Sequence, residues 1–354
     1  MISIDKIIAK VRRNILQLKP YSSARDEFKG SADVFLDANE NPFGSPISEG
    51  NFNRYPDPMQ WKLKKEIAKV KLVPEKNIFI GNGSDEPIDI LFRVFCEPGK
   101  DKILICPPTY GMYEVSANIN DVQIQKVNLT KDFQLNVTGI LDVIEPNTKM
   151  IFICSPNNPS GNLMKEEDVK KILNSFEGLV MIDEAYIDFA DDWSFLNVLN
   201  DYSNLVILQT FSKAYGMAGL RIGMAFAHDD IISLMNKVKP PYNLNEFSIE
   251  QAIVAIKNVE KVKTWVGEIQ NSRFKIQEEI QKLAIVESVY PSDANFLLVK
   301  FKNATEIYSA LTKKGIVVRD RSSQVNCDHC LRITIGTSEE NKTLLFELNK
   351  LDHV

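Results

Sequence analysis

From about residue 50 to residue 240 the chain alternates short apolar runs with segments of helical spacing. The apolar runs cover residues 77–80, 102–106, 122–127, 149–154, 179–183, 205–209 and 223–227. Several are continuously apolar and bounded by Pro, Gly or Asn, as expected of strands covered on both faces. Between them, residues 59–70, 85–95, 165–176 and 193–199 place apolar side chains at helical intervals. Strand and helix in alternation predict an α/β fold: a mostly parallel seven-stranded sheet flanked by helices.

Pro240 and Pro241 punctuate the end of this region. A long stretch of mixed charge and helical spacing follows over residues 246–283. Alternating segments at 296–300, 315–319 and 331–335 come next, with a helix candidate at 305–313. This second pattern predicts a smaller α+β domain. The expected boundaries are an N-terminal arm over 1–45, a large domain over 46–242 and a small domain over 243–354. The arm has no core of its own and is expected to pack with the small domain.

Composition narrows the classes. Hydrophobic residues make up 44% and charged residues 25% of the 354 residues, ordinary for a folded soluble chain. Lys and Arg number 42 against 47 Asp and Glu, a net charge of −5 without the basic excess that nucleic acid requires. No apolar run approaches the eighteen or so residues of a membrane span. Cys96, Cys106, Cys154, Cys327 and Cys330 are odd in number, which suits buried thiols in a reducing compartment; the expected location is the cytoplasm. The first twenty residues lack a secretory apolar core. They form a basic amphipathic pattern (Ile4, Ile7, Ile8, Val11 and Ile15 against Lys6, Lys10, Arg12 and Arg13), expected to be a packed helical arm rather than a transit peptide or surface membrane helix.

The chemistry concentrates just after the predicted strands, where open parallel sheets bind ligands. Thr210-Phe-Ser-Lys-Ala-Tyr-Gly-Met-Ala-Gly-Leu-Arg-Ile-Gly223 presents Lys213 in a hydroxyl-rich turn and returns Arg221 eight residues later. A lysine whose surroundings lower its pKa is an imine-forming nucleophile. Asp183-Glu-Ala-Tyr186 puts a carboxylate at the end of another strand, suited to holding a protonated ring nitrogen, with Tyr186 as a donor to a phenolic oxygen. Ser155-Pro-Asn-Asn-Pro-Ser-Gly161 ends a third strand with a constrained, amide-rich turn. Gly81-Asn-Gly-Ser-Asp-Glu86 opens a helix whose free amides and dipole favour a phosphate, although Glu86 replaces the third glycine of a dinucleotide fingerprint. Pro107-Pro-Thr-Tyr110 offers a ring to stack on a flat ligand. Taken singly, each has a plainer reading: a solvated Lys, a capping Asp, a turn of Asn and Pro, a well-capped helix, a rim tyrosine. Cys327-Asp-His-Cys330 makes a poor closed zinc site, and no metal is expected.

Together and in this order, these motifs resemble the fold-type-I aminotransferases that use pyridoxal phosphate. More narrowly, Leu36-Asp-Ala-Asn-Glu-Asn-Pro-Phe-Gly44, Arg54-Tyr-Pro-Asp-Pro58, Gly81–Glu86 and Leu331-Arg-Ile-Thr-Ile-Gly336 resemble the histidinol-phosphate aminotransferase family, from Leu18-Lys-Pro-Tyr21 to Glu340. The resemblance implies that Lys213 carries the cofactor, Asp183 pairs with its ring nitrogen, and Asn157 and Tyr186 bond its phenolic oxygen. Tyr110 would stack on the ring; Ser84, Asp85, Ser212 and Arg221, with Thr210 nearby, would hold the phosphate. Tyr55 would reach that phosphate from the other subunit of a homodimer. Arg332 would bind the substrate anion, with Arg319, Asn39 and Tyr21 lining the same pocket. Ser160 stands where the family often has Thr, which keeps the hydroxyl. The implied activity is ping-pong transfer of an amino group from histidinol phosphate to 2-oxoglutarate, within histidine biosynthesis. An aromatic-amino-acid aminotransferase or a phosphothreonine decarboxylase would need the same Lys213, Asp183 and Arg221. A noncatalytic cofactor sensor is disfavoured because Lys213 is present and no DNA-binding module is attached.

Overall fold

A computed structural model describes residues 2–21, 34–47, 52–190 and 193–352. Seven strands form the larger sheet: β1 (Ile78–Asn82), β2 (Lys102–Ile105), β3 (Gln123–Lys126), β4 (Thr148–Cys154), β5 (Leu179–Asp183), β6 (Leu205–Thr210) and β7 (Ile222–Ala227). Their spatial order is β1-β7-β6-β5-β4-β2-β3, and β7 alone runs against the other six. All seven lie where the apolar runs predict them. β5, β6 and β7 are buried at every position, which explains why they show no polar alternation.

The two faces divide residue by residue. Val180 and Ile182 of β5 join Leu63 and Ile67 of the helix Trp61–Lys71 in one core. Leu179 and Met181 turn the other way, toward Ile88, Leu91 and Phe92 of the helix Asp85–Phe95 and Ile231 and Met235 of the helix Asp229–Val238. This is the period-two alternation of a strand between two helical layers.

The second sheet is antiparallel, in the order β10-β11-β9-β8, from β8 (Val286–Val289), β9 (Phe296–Phe301), β10 (Arg319–Asp320) and β11 (Cys330–Thr334). Leu297, Val299, Leu331 and Ile333 face the helices Val259–Ile280, Ala304–Lys313 and Ser338–Asp352. Phe296, Leu298 and Cys330 continue the core of the large sheet, so the two sheets share an apolar contact.

Four sequence expectations change. Residues 246–283 form two helices, Glu246–Lys257 and Val259–Ile280, broken at Asn258. Residues 193–199 form a short 3₁₀ segment, Phe195–Asp201, instead of an α-helix. In the 315–319 segment only Arg319 enters a strand, and Val317 is exposed. The N-terminal arm's helices Ile4–Ile8 and Arg13–Gln17 pack on the large sheet's helical layer rather than on the small domain. Ile7, Val11 and Ile15 bury against the layer containing Phe92 and Ile231, Arg12 pairs with Glu97 at 3.3 Å, and Lys237 bonds the Leu16 carbonyl at 2.9 Å. Its apolar stripe therefore covers the large sheet's helical layer.

Candidate active site

Six strands of the large sheet end, and β7 begins, at one edge; because β7 runs backward, its start lies beside the others' carboxyl ends. There, a cavity of about 140 Å³ gathers groups from turns far apart in sequence. β1 supplies Ser84 and Asp85, β2 leads to Tyr110, and β5 delivers Asp183 and Tyr186. β6 delivers Thr210, Ser212 and Lys213, and Arg221 precedes β7. A larger open cleft of about 490 Å³ beside Trp193 has lysines already paired, Lys71 with Asp188 at 3.2 Å and Lys263 with Glu260 at 2.8 Å.

Close backbone packing builds the cationic end. Gly83 has φ +74°, and a Cβ on it would lie 2.4 Å from Arg221 Nη2. A Cβ on Gly223 would lie 2.3 Å from both Gly83 C and Ser84 N. The turn thus fits against the start of β7 only because both residues lack side chains. Arg221, itself at φ +53°, reaches Ser212 Oγ and Asp85 Oδ2, each at 3.4 Å. Ser84 makes no side-chain cap to the helix Asp85–Phe95, so its first amides face this corner unsatisfied by the helix. Thr210 Oγ1 accepts the Ser212 N–H at 3.1 Å and donates to the Ile222 carbonyl at 3.2 Å; it shapes the turn that carries Lys213.

Asp183 is buried at the cavity floor. Its carboxylate accepts the Tyr113 hydroxyl at 2.7 Å and the Ala185 N–H at 3.0 Å. Burial raises its pKa, while those two hydrogen bonds pull the other way. Lys213 Nζ lies 5.3 Å from the Tyr186 ring centre. Its pKa is lowered, first by burial and then by the charge of Arg332, against the opposing pull of Asp183. Tyr110 donates to Asp85 Oδ1 at 3.1 Å and meets Tyr113 edge-on at 5.5 Å.

The amide turn after β4 places its two asparagines differently. Asn157 is fully buried and does not line the cavity; its Nδ2 donates to the Pro108 carbonyl at 3.1 Å and Ser160 Oγ at 2.7 Å. Asn158 lines the cavity instead, and its Oδ1 accepts Arg332 Nη1 at 2.6 Å. Adjacent residues in the turn point oppositely, and the sequence alone does not say which one faces in. Arg332 also lies over the Phe296 ring at 5.1 Å, and Phe296 meets Tyr186 edge-on.

Other expected residues lie outside this cavity. Tyr21 is exposed beside Pro58 and Lys239, Asn39 is exposed at φ +54°, and half-exposed Tyr55 stacks on Tyr242 at 4.5 Å. Arg319 is exposed on β10, directly opposite Arg332 of β11. Tyr113 was not foreseen, since nothing in its local sequence distinguishes it from a core tyrosine. Cys327, in the turn before β11, and Cys330, the first residue of β11, are buried free thiols.

Comparison with known proteins agrees with this geometry. The family model described as aminotransferase class I and II matches residues 32–348. A histidinol-phosphate aminotransferase of Cytophaga hutchinsonii is 54% identical, over 97% of each chain. One of Parabacteroides distasonis is 52% identical, over 95% of this chain and 96% of the relative. The crystal structure of the histidinol-phosphate aminotransferase from Clostridium acetobutylicum superposes with a TM-score of 0.79 at 27% identity, covering 86% of this chain and 92% of that one. With an amine, a buried carboxylate and a cationic turn at one sheet edge, and relatives of this similarity over nearly its full length, the chain belongs to the class I and II aminotransferases, in the histidinol-phosphate aminotransferase family.

Proposed function

We propose that the chain transfers the amino group of L-histidinol phosphate to 2-oxoglutarate, forming imidazole acetol phosphate and L-glutamate, with pyridoxal phosphate as cofactor. The observation that carries this reading is the convergence of Lys213, Asp183 and the Gly83–Asp85/Arg221 corner on one cavity. The donor set fits the cofactor. Helix amides, Ser212 and Arg221 suit its phosphate, buried Asp183 suits a cationic ring nitrogen, and Lys213 suits its aldehyde. When bound, pyridoxal phosphate supplies an electron sink beside the substrate's reacting carbon.

The residues then divide the work. Lys213, its pKa lowered by burial, has more neutral amine near neutral pH than an ordinary lysine. Its Nζ takes the proton from the amine-bearing carbon of the substrate as general base. Asp183 keeps a proton on the ring nitrogen, because a cation beside a buried carboxylate favours the charged form of each. Tyr113 and the Ala185 N–H fix that carboxylate in place. Tyr110 packs on the ring face. Tyr186 and Asn158 serve the phenolic oxygen; Arg332 occupies the Asn158 amide oxygen, leaving its Nδ2 hydrogens for the cavity. Arg332 and Arg319 take the substrate's anionic groups; Tyr21 and Asn39, outside the cavity of the single chain, belong to the same pocket only as the family resemblance implies.

The working unit is a homodimer in the cytoplasm. Leu36 and Phe43 are 90% and 96% exposed, on the same segment that leads to Tyr55. A second copy would cover these apolar side chains, and the family resemblance has that copy offer Tyr55 to its partner's phosphate corner. The free thiols fit a reducing compartment. Among the described residues, no helix is long and apolar enough to cross a membrane.

A single-turnover half-reaction tests the reading. Cofactor-loaded protein is mixed separately with histidinol phosphate, phenylalanine or phosphothreonine, and the visible band of the lysine-bound cofactor is followed. Fastest bleaching by histidinol phosphate is expected. Faster bleaching by phenylalanine, or carbon dioxide release from phosphothreonine, would replace the substrate, and no band at all would overturn the reading.

A further inference from the structure

The turn between β10 and β11 brings a third guanidinium, beside Arg319 and Arg332, into electrostatic range of Tyr186 on the cavity wall. Arg321 follows β10, and its backbone N–H donates to the Cys330 carbonyl at 2.9 Å, which holds it in register with the hairpin. The turn closes on itself through Gln324 N–H to the Arg321 carbonyl and Cys330 N–H to the Cys327 carbonyl, both at 2.9 Å. Arg321 is therefore carried by an ordered backbone. Its charge is felt by Tyr186 on the cavity wall, and it in turn feels Arg332 and Arg319.

Three observations point to an anion here. Arg319 and Arg332 are direct cross-strand partners, and like charges so placed repel. Among the described residues, no carboxylate forms an ion pair with Arg319, Arg321 or Arg332. The Nε atoms of both Arg321 and Arg332 are buried with no hydrogen-bond partner, as is Ser322 Oγ beside them. Buried charged donors without acceptors are costly, and a bound anion offsets that cost. Burial, Arg332 and Arg319 together pull the Arg321 pKa down to about 10, so it still carries its charge at neutral pH.

We propose that Arg321 is a specificity-determining residue that gives this site its preference for a phosphomonoester dianion over a substrate with no second anion. This rests on the substrate reading above. Arg332 is tied to Asn158 at the cavity wall and Arg319 stands exposed on β10. Arg321, half-buried between these surroundings, adds the second fixed charge and fork that a doubly charged phosphate needs and an uncharged side chain does not.

The test is kcat/KM of wild type, R321Q and R321K with histidinol phosphate and with unphosphorylated histidinol. R321Q is expected to lose about ten- to a hundred-fold with the phosphorylated donor, chiefly through KM, and nothing with histidinol. R321K recovers part of the loss through charge alone. The ratio of wild type to R321Q narrows below about pH 6, where a phosphomonoester loses its second charge. An unchanged cofactor band and melting temperature show that each variant is folded. Equal losses with both donors, or no loss with histidinol phosphate, would overturn the role of Arg321. A wild-type protein indifferent to the phosphate would instead overturn the substrate reading itself.

Discussion

Replacing Gly223 by alanine tests whether the cofactor corner depends on backbone contact. Gly223 pairs with Gly81 of β1 on one side and Thr210 of β6 on the other. A methyl group there would stand 2.3 Å from Gly83 C and Ser84 N, whereas ordinary contact begins at 3.4 Å. The Gly83–Asp85 turn must retreat by about 1 Å, a displacement large enough to spoil a positioned site. The backbone of Gly223 is not left-handed, so alanine adds no dihedral strain, and the effect is steric. Losing one charge-assisted amide contact to the phosphate is worth about 1.5–3 kcal/mol, or about ten- to a hundred-fold in affinity. Titrating cofactor-free G223A with pyridoxal phosphate, by absorbance, should show this loss. G219A serves as control, because nothing lies within 4 Å of its added methyl. Wild-type cofactor affinity in G223A would refute the reasoning.

Lys213→Ala should bind the cofactor without its lysine-linked absorbance and lose transamination; any retained turnover would exclude Lys213 as the amine. Asn158→Ala should shift the cofactor spectrum and reduce activity. Asn157→Ala should keep the spectrum while losing about 1–3 kcal/mol of stability by leaving the Pro108 carbonyl unpaired, and the reverse pattern would restore the sequence-based choice. Burial pushes the Glu184 carboxyl up to about 7. The folded protein then holds a proton that the unfolded chain releases near pH 4.5, so this contribution is fully present below that pH and lost as pH rises through about 7. Roughly 3 kcal/mol is at stake between those limits. Urea unfolding at pH 5.5 and pH 8 should show Glu184→Gln flattening the dependence, and a wild type already flat across that range would contradict it.

Much of the fold was legible because its strands are buried on both faces. Continuous apolar runs such as those of β5 and β6 have few alternatives, and a functional residue directly after such a run must lie at the sheet's carboxyl edge. Lys213, Asp183, Tyr186, Tyr110, Ser84, Asp85 and Arg221 were found in this way, and the structure brings them to one cavity. β8 was missed because it is four residues long and largely half-exposed, leaving little pattern. The break at Asn258 was hidden because apolar periodicity continues across it.

Chain order and residue type by themselves determined the strand–helix alternation, the amine, the carboxylate and the family. Those signals are local, set by burial on both faces and by motifs of a few residues. Only the tertiary structure decided that Asn158 rather than Asn157 faces inward, that Tyr113 holds Asp183, and that the N-terminal helices cover the large sheet's helical layer. It also decided that Arg319, Arg321 and Arg332 gather across one hairpin. Each of these depends on which side chains meet across separate elements, or on which way a turn points, and no local pattern encodes either.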